Sequence, residues 1–238
     1  MKWYAWLVVA FVVVIIIFLG QVIIRPEPLP ETSLTIPIRF MNHLEAKLPE
    51  QDVFIRGRGE VANQVFRLEV INPQDQSVLD EMVFASAQPV AHDPFKSGSQ
   101  PLGPFPQGAA LGFSLRRWLA ATGSGTYMVK NSGAEINISF QNLVPNGLYT
   151  VWCSRFKSPP NFAAVDEPCG AKDGSQNTFR ADAIGNGVYK VSLNQPVENQ
   201  TETPPVIVIS YHSDNRTHGS KPGNFGKNTH VQLFLLVM

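Results

Sequence analysis

Three histidines and one aspartate fall close together near the end of the chain. His212 ends a predicted strand, His218 lies in a glycine-rich loop, and His230 begins the next predicted strand. Because a loop that returns to the neighbouring strand brings its two ends together, we expect His212 and His230 to approach each other. Asp214 and His218 would then lie beside this pair. Imidazoles with a carboxylate suit zinc or copper. The spacing contains neither H-x-H nor HExxH, so surface histidines on a polar loop are the alternative interpretation.

The same loop, residues 213–229, also carries more positive than negative charge. It contains Arg216, Lys221 and Lys227 against the single carboxylate of Asp214. Such a loop can bind an anion or the acidic surface of another protein. A solvated loop explains the same residues and is the simpler interpretation.

The chain contains two cysteines, Cys153 and Cys169. Two thiols are too few for a four-thiolate zinc site or for a disulfide-dense miniprotein. Outside the cytoplasm a disulfide between them is the expected state. It would clamp the loop 157–170 and stabilise the fold by about 3 kcal/mol. Two unrelated buried thiols are the alternative.

The strand that leads into Cys153 resembles a strand of the cupredoxins, the blue-copper electron carriers. Residues 147–153, GLYTVWC, match the G-x-Y-x-x-x-C pattern of that family. The resemblance implies a β-sandwich, but the chain departs from the copper-binding pattern after the cysteine. Phe156 stands where the family often has a histidine ligand, and no methionine follows before Met238. A blue-copper site needs two histidines and a thiolate, so we predict no such site here.

Charge and motifs exclude several classes of function. The chain has 19 Lys and Arg and 19 Asp and Glu, so its formal net charge is zero. Nucleic acid is therefore not an expected partner, because phosphate binding requires a basic excess. The sequence contains no G-x-S-x-G elbow, P-loop or EF-hand spacing. We therefore predict a protein that is not an enzyme, although paired carboxylates for glycoside cleavage cannot be detected in a sequence.

The N-terminal segment, residues 3–24, is almost continuously apolar. As a helix it would be about 33 Å long, enough to span a bilayer core of about 30 Å. Trp3, Tyr4 and Trp6 at one end, and Arg25 at the other, are residue types that favour the membrane interface. A cleaved signal peptide is the alternative, but its apolar region is normally about 7–15 residues long. We therefore predict an uncleaved, single-pass signal anchor in the plasma or inner membrane.

Orientation follows from weaker signals. Lys2 and the amino terminus precede the anchor, and Arg25 and Arg39 follow it. The positive charges on its two sides are therefore nearly equal, and the positive-inside rule does not choose an orientation. The cysteine pair and the large β-rich remainder favour a C-terminal part outside the cytoplasm, which is periplasmic in a bacterium. Residues 25–37 contain four prolines and predict an extended linker.

Most of the remaining chain predicts β-strands. Apolar residues alternate with polar ones in residues 36–40, 66–70 and 134–140, and alternation of period two is typical of half-buried strands. We further expect strands at 77–84, 148–154 and 230–237, a central strand at 206–211, and a hairpin that joins 178–183 to 188–193 through Gly185-Asn186-Gly187. One helix is predicted at 114–121, with Ser114 as its N-cap.

These elements predict an all-β fold of immunoglobulin-like or cupredoxin-like sandwich type. Residues 88–110 are rich in proline and glycine and predict a long loop. We therefore expect a small β subdomain at 38–87, this loop, and a β-sandwich domain at 111–238, unless 38–238 is one domain.

Three functions fit this organisation. The first is a non-catalytic, membrane-anchored module that contacts other membrane or extracytoplasmic proteins, with the loops 88–110 and 213–229 as contact surfaces. The second is a periplasmic protein that binds zinc or copper through His212, His218, His230 and Asp214. The third is a carbohydrate-binding sandwich, for which Trp118 and Trp152 are the candidate platforms. No cofactor other than such a metal is expected.

Overall fold

The computed structural model of the protein describes residues 33–46, 52–68, 74–92, 101–156, 164–197 and 206–236. All of them belong to one compact unit that spans Ser33–Met238. The predicted anchor, with Trp3, Tyr4, Trp6 and Arg25, and most of the predicted linker lie outside these residues. Within the part that is described, no helix has the length and apolar character needed to cross a bilayer.

The described residues form an all-β structure, as the sequence predicted. Two open antiparallel sheets and one small closed barrel contain all the strands of this part of the chain. The strands are β1 Ser33–Arg39, β2 Phe54–Arg56, β3 Gln64–Phe66, β4 Met82–Ser86, β5 Phe105–Ser114, β6 Thr122–Lys130, β7 Gly133–Gln141, β8 Leu148–Phe156, β9 Ala164–Pro168, β10 Thr178–Arg180, β11 Gly187–Leu193, β12 Val206–His212 and β13 Thr229–Leu236.

The two open sheets pack face to face as a sandwich. The first has the order β1-β6-β7-β11 and the second the order β10-β8-β12-β13, with β9 also paired to β8. Alternate residues of β7, Ala134, Ile136, Ile138 and Phe140, are buried against the second sheet, as their spacing predicted. From the second sheet, Val151, Ile207, Ile209 and Leu233 enter the same core. Strand β12 lies between β8 and β13, which confirms it as a central strand.

The barrel, with the order β2-β3-β5-β4, has a separate apolar cluster. This cluster includes Val53, Val83, Leu115 and Trp118. Strand β5 starts at Phe105, inside the segment predicted as a loop, and β1 starts at Ser33, inside the predicted linker. The predicted boundaries at 37 and 110 therefore each fall within a strand.

Two short α-helices belong to the barrel region. Helix α1, Gln76–Leu79, is capped by Asp75, whose side chain accepts a hydrogen bond from the Val78 amide. The strand predicted at 77–84 is therefore wrong over its first residues and correct from Met82, because a good N-cap starts a helical turn first. Helix α2, Leu115–Leu119, has Ser114 as N-cap, as predicted.

The predicted hairpin between residues 178 and 193 is wrong. The turn exists, and the Asp182 carboxylate accepts hydrogen bonds from the amides of Ile184 and Asn186. However, β10 pairs with β8 in one sheet, and β11 pairs with β7 in the other. The turn therefore joins the two layers of the sandwich instead of two neighbouring strands.

Cys153 and Cys169 form the predicted disulfide, with their Cα atoms 5.1 Å apart. Cys153 lies in β8, and Cys169 follows β9, which pairs with β8. Both residues are buried in the sandwich core. The bridge therefore fastens the returning chain to the sheet from inside the core.

Replacing both cysteines with alanine should lower the free energy of unfolding by about 3 kcal/mol, because the unfolded chain loses the constraint on its loop. Urea unfolding of the full-length protein, followed by tryptophan fluorescence, measures this difference. Lys172→Ala changes an exposed side chain just beyond the bridge and should keep the parent midpoint. Equal midpoints for the double variant and the parent would show that the bridge does not stabilise the fold.

Candidate metal centre

The candidate metal-binding residues lie where β12 passes into the loop that connects it to β13. His212 is the last residue of β12, and the β12–β13 loop consists of residues 213–228. The loop is closed at its base by a hydrogen bond from the Ser213 amide to the Asn228 carbonyl. Gly219, Gly223 and Gly226 adopt positive φ, which allows the chain to fold back on itself.

The structure brings His212, Asp214 and His218 together. One potential ligand atom from each side chain lies within 4.8 Å of the other two. His218 Nε2 is 3.3 Å from Asp214 Oδ2. This group contains three of the four residues predicted as ligands.

His212 presents one ring nitrogen that no described residue satisfies. Its Nε2 lies 2.7 Å from Thr150 Oγ1, and that hydroxyl also accepts a hydrogen bond from Trp152 Nε1. Its Nδ1 is buried and has no hydrogen-bond partner among the described residues. Burial, aided by the neighbouring His218 and opposed by Asp214, lowers the pKa of His212 to about 4. The ring is therefore neutral at pH 7, which is the form that binds metals.

Asp214 is held in place by the loop. Its Oδ1 accepts a hydrogen bond from the Arg216 amide, and its Oδ2 accepts one from Asn228 Nδ2. Outer-shell contacts of this kind orient metal ligands and commonly change metal affinity about 10–100-fold. Thr150 orients His212 in the same way, through its contact with His212 Nε2. Two of the three candidate ligands are thus already oriented.

His218 packs closely on Gly223. A Cβ atom built at Gly223 would lie 2.7 Å from His218 Cδ2, so a larger residue would displace the imidazole. The residue after His218, Gly219, packs against Gly174, where a Cβ atom would lie 2.1 Å from the Gly219 carbonyl oxygen. Glycines on both sides therefore allow the loop to place His218 beside Asp214.

Two imidazoles and one carboxylate are a donor set for zinc, copper or non-haem iron. Nitrogen and oxygen ligands lie about 2.0–2.2 Å from a zinc ion, so two ligands of a tetrahedral site are about 3.3–3.6 Å apart. The three side chains, whose ligand atoms lie within 4.8 Å of one another, would have to move inward to reach that separation. Three protein ligands would leave at least one coordination position for water or another small ligand.

The structure does not bring His230 into this group. His212 pairs with Thr229 across the ladder, whereas His230 pairs with Tyr211. Because successive side chains of a strand point to opposite faces, His230 faces away from His212. Its Nδ1 lies 2.6 Å from the Asp52 carbonyl oxygen, and its Nε2 lies 2.9 Å from Ser213 Oγ. Both ring nitrogens are therefore already in use.

A second polar cluster, centred on Asp52, has no counterpart in the sequence-based predictions. The Asp52 carboxylate is fully buried, and its Oδ2 accepts a hydrogen bond from the Val231 amide. Its Oδ1 lies 3.0 Å from His92 Nδ1, and His92 stacks on Phe225 of the β12–β13 loop. Residues far apart in the sequence form this cluster, so no local motif could have revealed it.

The tryptophans proposed as carbohydrate platforms are both buried. Trp118 and Trp152 are each 1% exposed, so neither ring can stack on a sugar. Trp118 belongs to the core beside the barrel, and Trp152 donates to Thr150 behind the metal-binding group. These two residues give a carbohydrate-binding function no support.

Fold and site together define the described part of the chain as an all-β, disulfide-bonded protein with a candidate His-Asp-His metal centre. Comparison of the sequence with known protein-family models found no match, and comparison with curated proteins found no match either.

Proposed function

We propose that this protein binds a divalent transition-metal ion, zinc or copper, through His212, Asp214 and His218. The observation that supports this most directly is the buried His212 Nδ1, which lacks a hydrogen-bond partner in a group whose ligand atoms lie within 4.8 Å of one another. Leaving a buried polar atom unpaired costs about 1–3 kcal/mol, and a bound ion would remove that cost.

We further propose that residues 3–24 tether this protein to the plasma or inner membrane, with the metal-binding part outside the cytoplasm. The length of the apolar segment and its aromatic end support the anchor. The disulfide is consistent with an oxidising compartment. We expect the sandwich to be of the immunoglobulin-like or cupredoxin-like type.

Metal titration of the full-length protein tests the proposed site. After treatment with a chelator and its removal, the protein should bind one equivalent of zinc or copper in isothermal titration calorimetry. His212→Ala, Asp214→Ala and His218→Ala should each weaken binding about 100-fold or more, because each removes a direct ligand. His218→Ala is the most informative of the three variants, because this side chain is partly exposed and its loss should not disturb the fold.

Lys221→Ala is the matched control, since it changes an exposed side chain of the same loop. This variant should keep the parent affinity. Binding that is equally weakened in Lys221→Ala, or that persists unchanged in all three ligand variants, would place the ion elsewhere. Absence of any stoichiometric binding would overturn the proposed function.

A contact with another protein is a second candidate function, and one surface feature favours it. Ile184, in the turn that joins the two sheets, is 72% exposed, and Val188, at the start of β11, is 56% exposed. Exposed apolar side chains mark contact surfaces when they form a contiguous patch. A photo-crosslinking residue at Ile184 should capture a partner in intact membranes, and the same residue at the exposed Asp173 should not.

A further inference from the structure

Ser213 and His230 form a hydrogen-bonded pair on the side of the β12–β13 loop base that the metal-binding group does not use. Ser213 Oγ lies 2.9 Å from His230 Nε2. Ser213 is partly exposed, whereas His230 is completely buried. The hydroxyl of a partly exposed residue is thus in contact with a completely buried imidazole.

The hydrogen bonds around His230 determine which ring nitrogen carries the proton. The Asp52 carbonyl oxygen can only accept, so the 2.6 Å contact requires that His230 Nδ1 donates. In the neutral ring, Nε2 then has the free electron pair and accepts the hydrogen bond from the Ser213 hydroxyl. Burial lowers the pKa of His230, which favours this neutral form.

Asp52 completes the arrangement in two ways. Its carbonyl oxygen fixes the orientation of the imidazole, and its buried carboxylate attracts the positive charge that the ring gains on accepting a proton. The Val231 amide donates to this carboxylate and holds it in place. A hydroxyl, a base whose free nitrogen faces it, and a group that orients the base are the three parts of an activated serine nucleophile.

We propose that Ser213 is a nucleophile that His230 activates for attack on ester-type electrophiles. In this step the Ser213 oxygen bonds to the acyl carbon, and the bond between that carbon and the alkoxy oxygen breaks. The serine proton passes through His230 Nε2 to the departing alcohol, so the products are an acylated Ser213 and a free alcohol. The half-buried ring of Tyr211, 6.0 Å from the His230 ring, favours substrates with an apolar acyl group.

A fluorophosphonate probe tests this proposal, since it reacts with an activated serine hydroxyl and loses fluoride. The full-length protein is treated with the probe in the presence of EDTA, and the modified residues are identified by mass spectrometry. Ser213 should react at least about 100-fold faster than Ser220, an exposed serine of the same loop. The chelator makes the result independent of metal binding, so this proposal and the metal site can fail separately.

Three variants test whether His230 is what activates Ser213. His230→Ala should reduce labelling of Ser213 to the rate of Ser220. Because His230 is buried and this variant could fail to fold, Ser213→Cys and Ser220→Cys are compared as well. Both native cysteines form the disulfide, so the introduced thiol is the one that reacts. The thiol at position 213 should react with iodoacetamide faster at pH 6 than the thiol at position 220. Equal rates at the two positions, for the serines or for the thiols, would overturn the proposal.

Discussion

Replacing Asp52 with alanine is expected to lower the free energy of unfolding by about 3–5 kcal/mol. The carboxylate is completely buried, accepts a hydrogen bond from the Val231 amide at 2.9 Å, and lies 3.0 Å from His92 Nδ1. Burial raises the pKa of Asp52, but His92, the Val231 amide and His230 together outweigh it, so the pKa falls below its ordinary value and the group is ionised at pH 7. Alanine would leave the buried Val231 amide without its acceptor.

Urea unfolding of the full-length protein at pH 7 measures this loss. Asp173→Ala is the matched control, because that carboxylate is exposed and accepts hydrogen bonds from Ser175 alone among the contacts described. The control should change the free energy of unfolding by less than about 0.5 kcal/mol. A loss in Asp52→Ala no larger than that of the control would contradict the structural role assigned to the buried carboxylate.

Acidification between pH 6.5 and pH 4 should destabilise the protein by several kcal/mol. Burial lowers the pKa of both His43 and His212 to about 4, from an ordinary value of 6.5. The unfolded chain therefore binds more protons than the folded one across this interval. The contribution of the two neutral histidines to the free energy of unfolding is complete above pH 6.5 and is lost as the pH falls toward 4. Each histidine contributes about 3 kcal/mol to that loss.

Urea midpoints at pH 7, 6, 5 and 4.5 should record this decline. His43→Gln should reduce the pH dependence by about half, because it removes one of the two groups. The measurement is made with EDTA present, so that release of a metal ion from His212 adds nothing. A midpoint that does not change from pH 7 to pH 5 would show that these imidazoles are not buried as neutral groups.

The elements with regular apolar spacing were predictable from sequence, and those defined by long-range pairing were not. Alternation in residues 134–140 identified β7, and the continuous apolar run at 206–211 identified the central strand β12. By contrast, β5 starts in a segment rich in proline and glycine and alternates only partly in burial. Its strand conformation results from backbone pairing with β3 and β4, which no local pattern encodes.

The same distinction applies to the site. Proximity along the loop was enough to group His212, Asp214 and His218. The position of His230 depended on the register of the ladder, because a shift of one residue moves a side chain to the opposite face. Register here includes an irregularity between Ile209 and Ser210, which a sequence does not display. The contact of Asp52 with His230 joins residues 178 positions apart and was equally hidden.

Pro37 also affects how copies of this protein can associate with one another. It lies in β1, at one border of the first sheet, while β11, at the other border, exposes Lys190. Aggregates and fibres grow when strands from other molecules add to such borders. Proline has no amide hydrogen to offer an incoming strand, and a charged lysine repels its own copies. The two borders of the first sheet are thus poor templates for the addition of strands from other molecules.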